Sequence, residues 1–271
     1  MQDRYFNTLQ RAESKLLNFY ENRQNDWFMT QFWPENRERI MVCLHDSLQH
    51  QPPPGQVLDI GAHNGFATRL FAELGYTATA CDGVDIEDRS ELMSGLGDRF
   101  IQHNLNDPNP LIELDLEYYD IVFMGEIFEH ILNTPVRLLR NVARSLKPGG
   151  LLILTTPNPA TIANAVRLLL GHSHFRGSHR FAHTAKIENC EITSDPSIHY
   201  REYTTSELIS LIRSTGLLIE DIKYFSVGSS TDQDLVRKTL KNWASGIFHN
   251  RLLGRTQYVR ARKPDVPTGS R

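Results

Sequence analysis

At 271 residues, with 40% hydrophobic and 23% charged side chains, the chain has the material for one large α/β domain or two small ones. A net charge of −3 and a pI near 6.4 supply no pull toward DNA or an acidic membrane surface, and they argue against RNA as substrate. Cys43, Cys81 and Cys190 are too few and too scattered for a disulfide framework or zinc knuckle, and neither an h-region nor a membrane-length apolar run is present, so the expected compartment is the cytoplasm.

Residues 1–54 read as a helical N-terminal cap. Leu9, Ala12, Leu16 and Tyr20 recur at helical spacing, as do Ile40, Met41, Leu44 and Leu48. Between these runs stand Trp27-Phe28-Met29 and Phe32-Trp33-Pro34, rings that either pack the cap onto the core or close over a ligand as a lid. Gln51-Pro52-Pro53-Pro54-Gly55 cannot be helix and opens a core expected over 55–262.

Val57-Leu58-Asp59-Ile60 reads as a short buried strand, and Gly61-Ala62-His63-Asn64-Gly65 as a turn. Phe66, Leu70, Phe71 and Leu74 then mark a helix. Strand, glycine turn and helix in this order bring backbone N–H groups and a helix N-terminus up to a ligand, and a nucleotide-type cofactor is the natural occupant. The chain has neither G-x-G-x-x-G at this turn nor a G-x-x-x-x-G-K-[ST] phosphate loop. A second strand over 76–81 ends on Asp82, where open α/β sheets place an acid against ribose hydroxyls. A third strand over 99–103 runs into Asn104-Leu105-Asn106-Asp107-Pro108.

The fourth strand, 119–124, delivers Gly125-Glu126-Ile127-Phe128-Glu129-His130 to the carboxyl edge of the sheet, where such folds bind ligands. Glu126, Glu129 and His130 stand at i, i+3 and i+4, a spacing that one helical turn would gather on one face. A helix from Pro135, a type II turn at Lys147-Pro148-Gly149-Gly150 and a fifth strand over 151–155 follow. Residues 161–203 read as an insertion: a helix over 161–170, then an irregular stretch. Five of the eleven histidines lie between His172 and His199. Long irregular insertions are usually functional, and this one is expected to shape an acceptor pocket. A helix over 204–215, a sixth strand over 217–225, a helix over 235–253 and a last strand over 257–262 complete the core, with 263–271 a tail. The alternation predicts a doubly wound α/β sheet.

Val57-Leu58-Asp59-Ile60-Gly61-Ala62-His63-Asn64-Gly65 resembles the V-L-D-x-G-x-G-x-G opening motif of class I S-adenosylmethionine (SAM)-dependent methyltransferases. It departs at the middle glycine, where His63 stands. With the stretches 126–130, 146–150 and 155–159, the chain looks like the branch containing three groups of enzymes. These are ubiquinone-pathway O-methyltransferases, sugar and lipopolysaccharide-associated methyltransferases, and small-RNA 3′-end 2′-O-methyltransferases. The resemblance implies a Rossmann-like, seven-stranded, mostly parallel sheet whose last strand is antiparallel. It implies SAM as cofactor, with Asp59, Gly61 and Gly65 at the loop, Asp82 on the ribose, and Asn104 with Leu105 on the adenine side. Asp107 competes with Asn104 for that role, and an Asx-turn accounts for the same cluster.

The implied reaction is methyl transfer to a hydroxyl of a small molecule or glycan, with His130, His199 and Glu126 as the catalytic candidates. In some relatives an E-x-x-E-H group plus a later histidine binds a divalent metal, and Glu126, Glu129, His130 and His199 fill those positions by type and order. Metal-free acid–base work by His130 or His199 is the favoured reading. RNA 2′-O-methylation, and a non-catalytic binding protein that retained the fold, are the alternatives.

Overall fold

Two apolar stripes at helical spacing become α1 (Phe6–Glu21) and α2 (Trp33–His50), the second preceded by a π turn over Phe28–Phe32. The computed structural model describes residues 5–22, 28–83, 99–132, 135–173, 186–188, 191–193, 198–225 and 251–265. Its centre is a sheet of seven strands. In chain order these are β1 (Gln56–Ile60), β2 (Thr77–Asp82), β3 (Phe100–Gln102), β4 (Tyr119–Gly125), β5 (Leu146–Pro157), β8 (Leu218–Phe225) and β9 (Thr256–Arg262). A separate hairpin, β6 (Lys186–Glu188) and β7 (Glu191–Thr193), lies in the insertion. Each of its strands is too short for a period of two to show in the sequence, so it went unpredicted.

The strand order is β3-β2-β1-β4-β5-β9-β8. Pairs from β3 to β5 are parallel, and β9 inserts antiparallel between β5 and β8, as expected of the last strand. Leu58, Ile60, Ile121, Val122, Leu152, Ile153 and Leu154 are wholly buried, because helices cover both faces of a parallel sheet. On one face α1, α2 and α3 (Phe66–Glu73) share a single apolar cluster with the sheet: Leu16, Tyr20, Met41 and Leu44 meet Val57, Phe71, Phe123 and Tyr258. On the other face, α4 (Pro135–Ser145) and α6 (Thr205–Arg213) bury Leu138, Leu139, Val142, Leu208 and Ile212. Thr204 caps α6 through a reciprocal box with Glu207, whose Oε2 accepts the Thr204 backbone N–H at 2.8 Å.

Three expectations need correction or limits. The turn at Lys147-Pro148-Gly149-Gly150 lies inside β5 instead of ahead of it. Leu146 pairs with Tyr119 and Leu151 with Ile121, so the extra residues are accommodated as an irregularity of register. The Gly149 and Lys263 N–H groups, which donate to Lys263 and Gly150 carbonyls at 2.9 Å, keep that loop in the ladder. The helix predicted over 235–253 lies outside the described residues except at 251–253, which form a turn. The helix predicted after Thr161 is present as α5 (Ile162–Leu169), capped by Thr161 Oγ1, but none of its side chains is buried. Among the described residues, no helix is long and apolar enough to cross a membrane.

Candidate active site

A cavity of about 410 Å³ opens at the carboxyl ends of β1, β2 and β4. Gly61, His63, Asp82, Arg39, Glu126 and His130 are among the residues that line it. Gly61 adopts φ 75°, and a Cβ there would fall 2.5 Å from Ile127 Cγ1, so only glycine lets the loop pass this close to the end of β4. The Gly61 and Ala62 N–H groups donate to the Cys81 carbonyl at 2.8 and 3.1 Å, which fastens the loop to β2. The His63 N–H donates to Asp82 Oδ2 at 2.7 Å. The acid chosen from the sequence is thus held at the cavity wall by the loop itself.

Asp59 also lines the cavity, but it is buried and accepts the Thr68 hydroxyl at 2.6 Å. Burial pushes its carboxyl up to about 6, with the Thr68 bond opposing. Gly65 takes φ 72° and starts α3. Asn104 and Leu105 do not line this cavity: Asn104 Oδ1 accepts the Asn106 N–H at 3.0 Å in an Asx-type turn, and Leu105 is buried. Asn104 lies beside Gly83, the residue that follows Asp82.

Sequence reasoning missed Arg39. It lies on α2, is buried, and lines the cavity with Nη2 donating to Asn36 Oδ1 at 2.8 Å and Nη1 reaching Thr155 Oγ1 at 3.4 Å. A Cβ on Gly125 would meet Arg39 Nη1 at 2.7 Å, so the absence of a side chain at 125 makes room for the guanidinium. The available signal was two arginines, Arg37 and Arg39, abutting the apolar run Ile40-Met41-Val42, since a cation on a buried helix face requires a partner. Arg37 has one: Glu13 Oε2 accepts from its Nη2 at 2.7 Å and Glu13 Oε1 from its Nε. The described part of the aromatic cluster packs the cap onto the core, Phe32 against Phe66 included. Trp33 is buried and donates to Glu13 Oε1 at 3.3 Å, whereas Phe32 lines the cavity. Trp27 lies outside the described residues.

The other rim is made of side chains. The sequence spacing called for a helical turn at 126–130, but Glu126 takes a left-handed φ of 55° and only Phe128–His130 turns, as a 3₁₀ helix. The Glu126 N–H is still bound to the Thr155 carbonyl of the parallel neighbour strand at 3.0 Å, so the ladder runs on to 126, and the left-handed backbone there breaks the helical turn. Three residues still converge. Glu129 Oε1 lies 3.9 Å from His130 Nε2 and 4.0 Å from His199 Nε2, and the imidazoles meet edge to face at 4.9 Å. The Tyr200 and Arg201 N–H groups donate to the Glu129 carbonyl at 2.8 and 3.3 Å, which brings the distant His199 alongside.

His130 Nδ1 lies 2.9 Å from the Ile198 carbonyl and His199 Nδ1 lies 3.0 Å from Glu202 Oε1. Both partners accept, so Nδ1 carries a proton on each ring, and in the neutral form of each imidazole the lone pair is on Nε2. Glu129 Oε2 accepts the Thr156 hydroxyl at 2.9 Å, while its buried Oε1 has no hydrogen-bond partner among the described residues. Glu126 Oε1 is likewise buried and without one. Burial raises the carboxyl of Glu126, with Arg39 opposing, and raises that of Glu129 further, with the neighbouring Glu126 charge adding to it. One carboxylate oxygen and two imidazole nitrogens within 4.8 Å of one another form a set able to bind a divalent cation or to handle a proton. His172 is exposed at the end of α5, and His174, His179 and His183 lie outside the described residues.

A methyltransferase-domain family model matches residues 28–221. Ubiquinone biosynthesis O-methyltransferase of Maricaulis maris is 31% identical over 153 residues, 53% of this chain and 59% of that protein. The matched stretch is thus less than two thirds of that relative's length. A SAM-dependent methyltransferase from Archaeoglobus fulgidus superposes with a TM-score of 0.54 at 17% identity, covering 86% of this chain and all of the other. A Burkholderia thailandensis 1,6-didemethyltoxoflavin-N1-methyltransferase, solved with bound S-adenosylhomocysteine, gives 0.53 at 18% identity and covers 94% and 90%. These solved structures share the fold, and the curated relative bears out the likeness to the ubiquinone-pathway enzymes.

Proposed function

The chain belongs to the methyltransferase-domain family, and from that premise we propose that it transfers the methyl group of SAM to a hydroxyl oxygen of a small molecule or glycan. The observation that carries this reading is the loop at Gly61, drawn against β4 where no Cβ fits and bonded through His63 to Asp82 on one cavity wall. That cradle suits a nucleoside cofactor, and SAM when bound supplies a methyl group already activated on a sulfonium. Gly61 and Gly65 shape the loop, Asp82 would accept from the ribose hydroxyls, and the buried Arg39 would pair with the amino-acid carboxylate. Asn104 and Leu105 do not line the cavity, but Asn104 lies beside Gly83, next to Asp82, where the adenine side of the cofactor would extend. The Maricaulis maris relative is named for O-methylation, which supports oxygen as the acceptor atom.

His130 lines the cavity and, with Nδ1–H held by the Ile198 carbonyl, presents a basic Nε2 to an acceptor hydroxyl. His199 lies alongside, its own Nδ1–H on Glu202, and burial raises the Glu126 and Glu129 carboxyls close to the two rings. Isothermal titration with SAM and S-adenosylhomocysteine tests the cofactor reading, with binding of both expected. Absence of binding at millimolar ligand would sink it. Incubation with labelled SAM and fractionated metabolites, glycans and RNA then identifies the acceptor class.

One observation favours a second, metal-assisted reading of the same rim. Both Nδ1–H groups are occupied by acceptors, both Nε2 atoms face Glu129 Oε1, and that buried oxygen has no hydrogen-bond partner among the described residues. Outer-shell bonds of this kind commonly orient metal-binding imidazoles. Glu129, His130 and His199 would hold a divalent cation, with Glu126 adding charge, and such an ion would lower the acceptor hydroxyl's pKa. Chelator followed by metal add-back separates the readings: loss and recovery of turnover supports metal, and indifference supports the free histidine base.

A further inference from the structure

His63 is the loop's departure from the motif it resembles, and its backbone is strained. It adopts φ 50°, in the left-handed region that glycine enters freely and a residue bearing a Cβ adopts less readily. The hydrogen bond to Asp82 comes from the His63 backbone, so a glycine could make it equally well. What glycine could not supply is the ring. The imidazole lies parallel to Phe32, with centroids 6.2 Å apart and an 11° angle between planes, and 6.4 Å from Phe66. Phe32 packs on Phe66 at 4.4 Å, and Tyr20 of α1 meets Phe66 edge to face at 5.0 Å. Phe32, His63 and Phe66 all line the cavity. Phe32 ends the π turn that leads into α2, the helix carrying Arg39.

We propose that His63 is a positioning residue for the cofactor: its ring, stacked on Phe32, joins the cofactor loop to the N-terminal segment. The stack keeps Asp82 and Arg39, which line the same cavity, in a constant relation, compensating for the strain of the loop. This rests on the SAM reading above.

The test is SAM titration of the full chain for wild type, His63→Gly, His63→Asn, His63→Phe, Phe32→Leu and the His63→Gly/Phe32→Leu double variant, with ligand-free melting temperatures alongside. Glycine relieves the strain and asparagine tolerates the left-handed backbone, so both variants lose the ring while keeping the fold. Each is expected to weaken SAM binding by about threefold to tenfold, the worth of one aromatic pair, with the ligand-free melting temperature unchanged or raised. His63→Phe should restore most of the affinity. The double variant should bind no more weakly than the worse single, because both changes break the same stack. SAM affinity in His63→Gly equal to wild type, additive losses in the double, or a parallel drop in melting temperature and affinity would each overturn the inference. Failure of the wild type to bind SAM would instead overturn the functional reading beneath it.

Discussion

The loop over residues 61–65 finds its partners close by: Gly61 and Ala62 donate to Cys81, and His63 to Asp82, all on the next strand. On the opposite rim, Glu129 and His130 meet His199 only after the chain has passed through α4, β5 and the insertion, and backbone bonds from Tyr200 and Arg201 to Glu129 make the join. The first half is backbone geometry around small residues, and it forms the surface on which the proposed cofactor site rests. The second half is side-chain chemistry held by long-range contacts, with two carboxyls raised by burial and two rings whose tautomers are set by neighbours. Binding and turnover should therefore be separable by mutation.

The largest expected effect breaks the chemical half alone. His130→Ala, or His199→Ala, should lower turnover by about 10²- to 10⁴-fold, the range of positioned acid–base groups, while SAM affinity measured by titration stays near wild type. Full turnover in both variants would show that the chemistry sits on other residues.

A smaller effect sharpens the contrast on the cofactor side, where a buried acid stores a pH dependence. Asp59 is raised to about 6, so the folded protein holds its proton more tightly than the unfolded chain does. Stability from this group is present below its unfolded value, near 4, and is lost as pH rises through about 6. The loss amounts to roughly 3 kcal/mol on the scale of 1.4 kcal/mol for each pKa unit. Asp59→Asn keeps a partner for Thr68 and should flatten that slope in denaturant unfolding at pH 4 and pH 7.5. An unchanged slope would mean that the Thr68 bond fully offsets the burial.

The smallest effect converts the separation into a complementary variant. Asp82→Ala removes the acceptor proposed for the ribose hydroxyls and should weaken SAM by about tenfold to a hundredfold, as loss of a charged hydrogen-bond acceptor does. Turnover at saturating SAM should fall far less than in the histidine variants. If Asp82→Ala abolishes turnover at saturation instead, the two halves are coupled through the loop.

What could be read from the residues alone follows the same division. The order of the seven sheet strands, the glycine loop and the place of Asp82 after β2 were visible, because local periodicity and glycine placement survive without tertiary contacts, while the pairing of a late histidine with the Glu126–His130 stretch was legible only through the family resemblance. Tertiary structure decided the rest. Past β4 the ladder to Thr155 continues through the Glu126 N–H, and a left-handed Glu126 followed by a short 3₁₀ turn stands where a helical turn was expected. The register between β4 and β5 absorbed a Pro-Gly turn that by itself reads as the end of an element. Arg39 came to the cavity from α2 because Gly125, far along the chain, leaves room for it, and no period or motif in the sequence records a space between two distant residues.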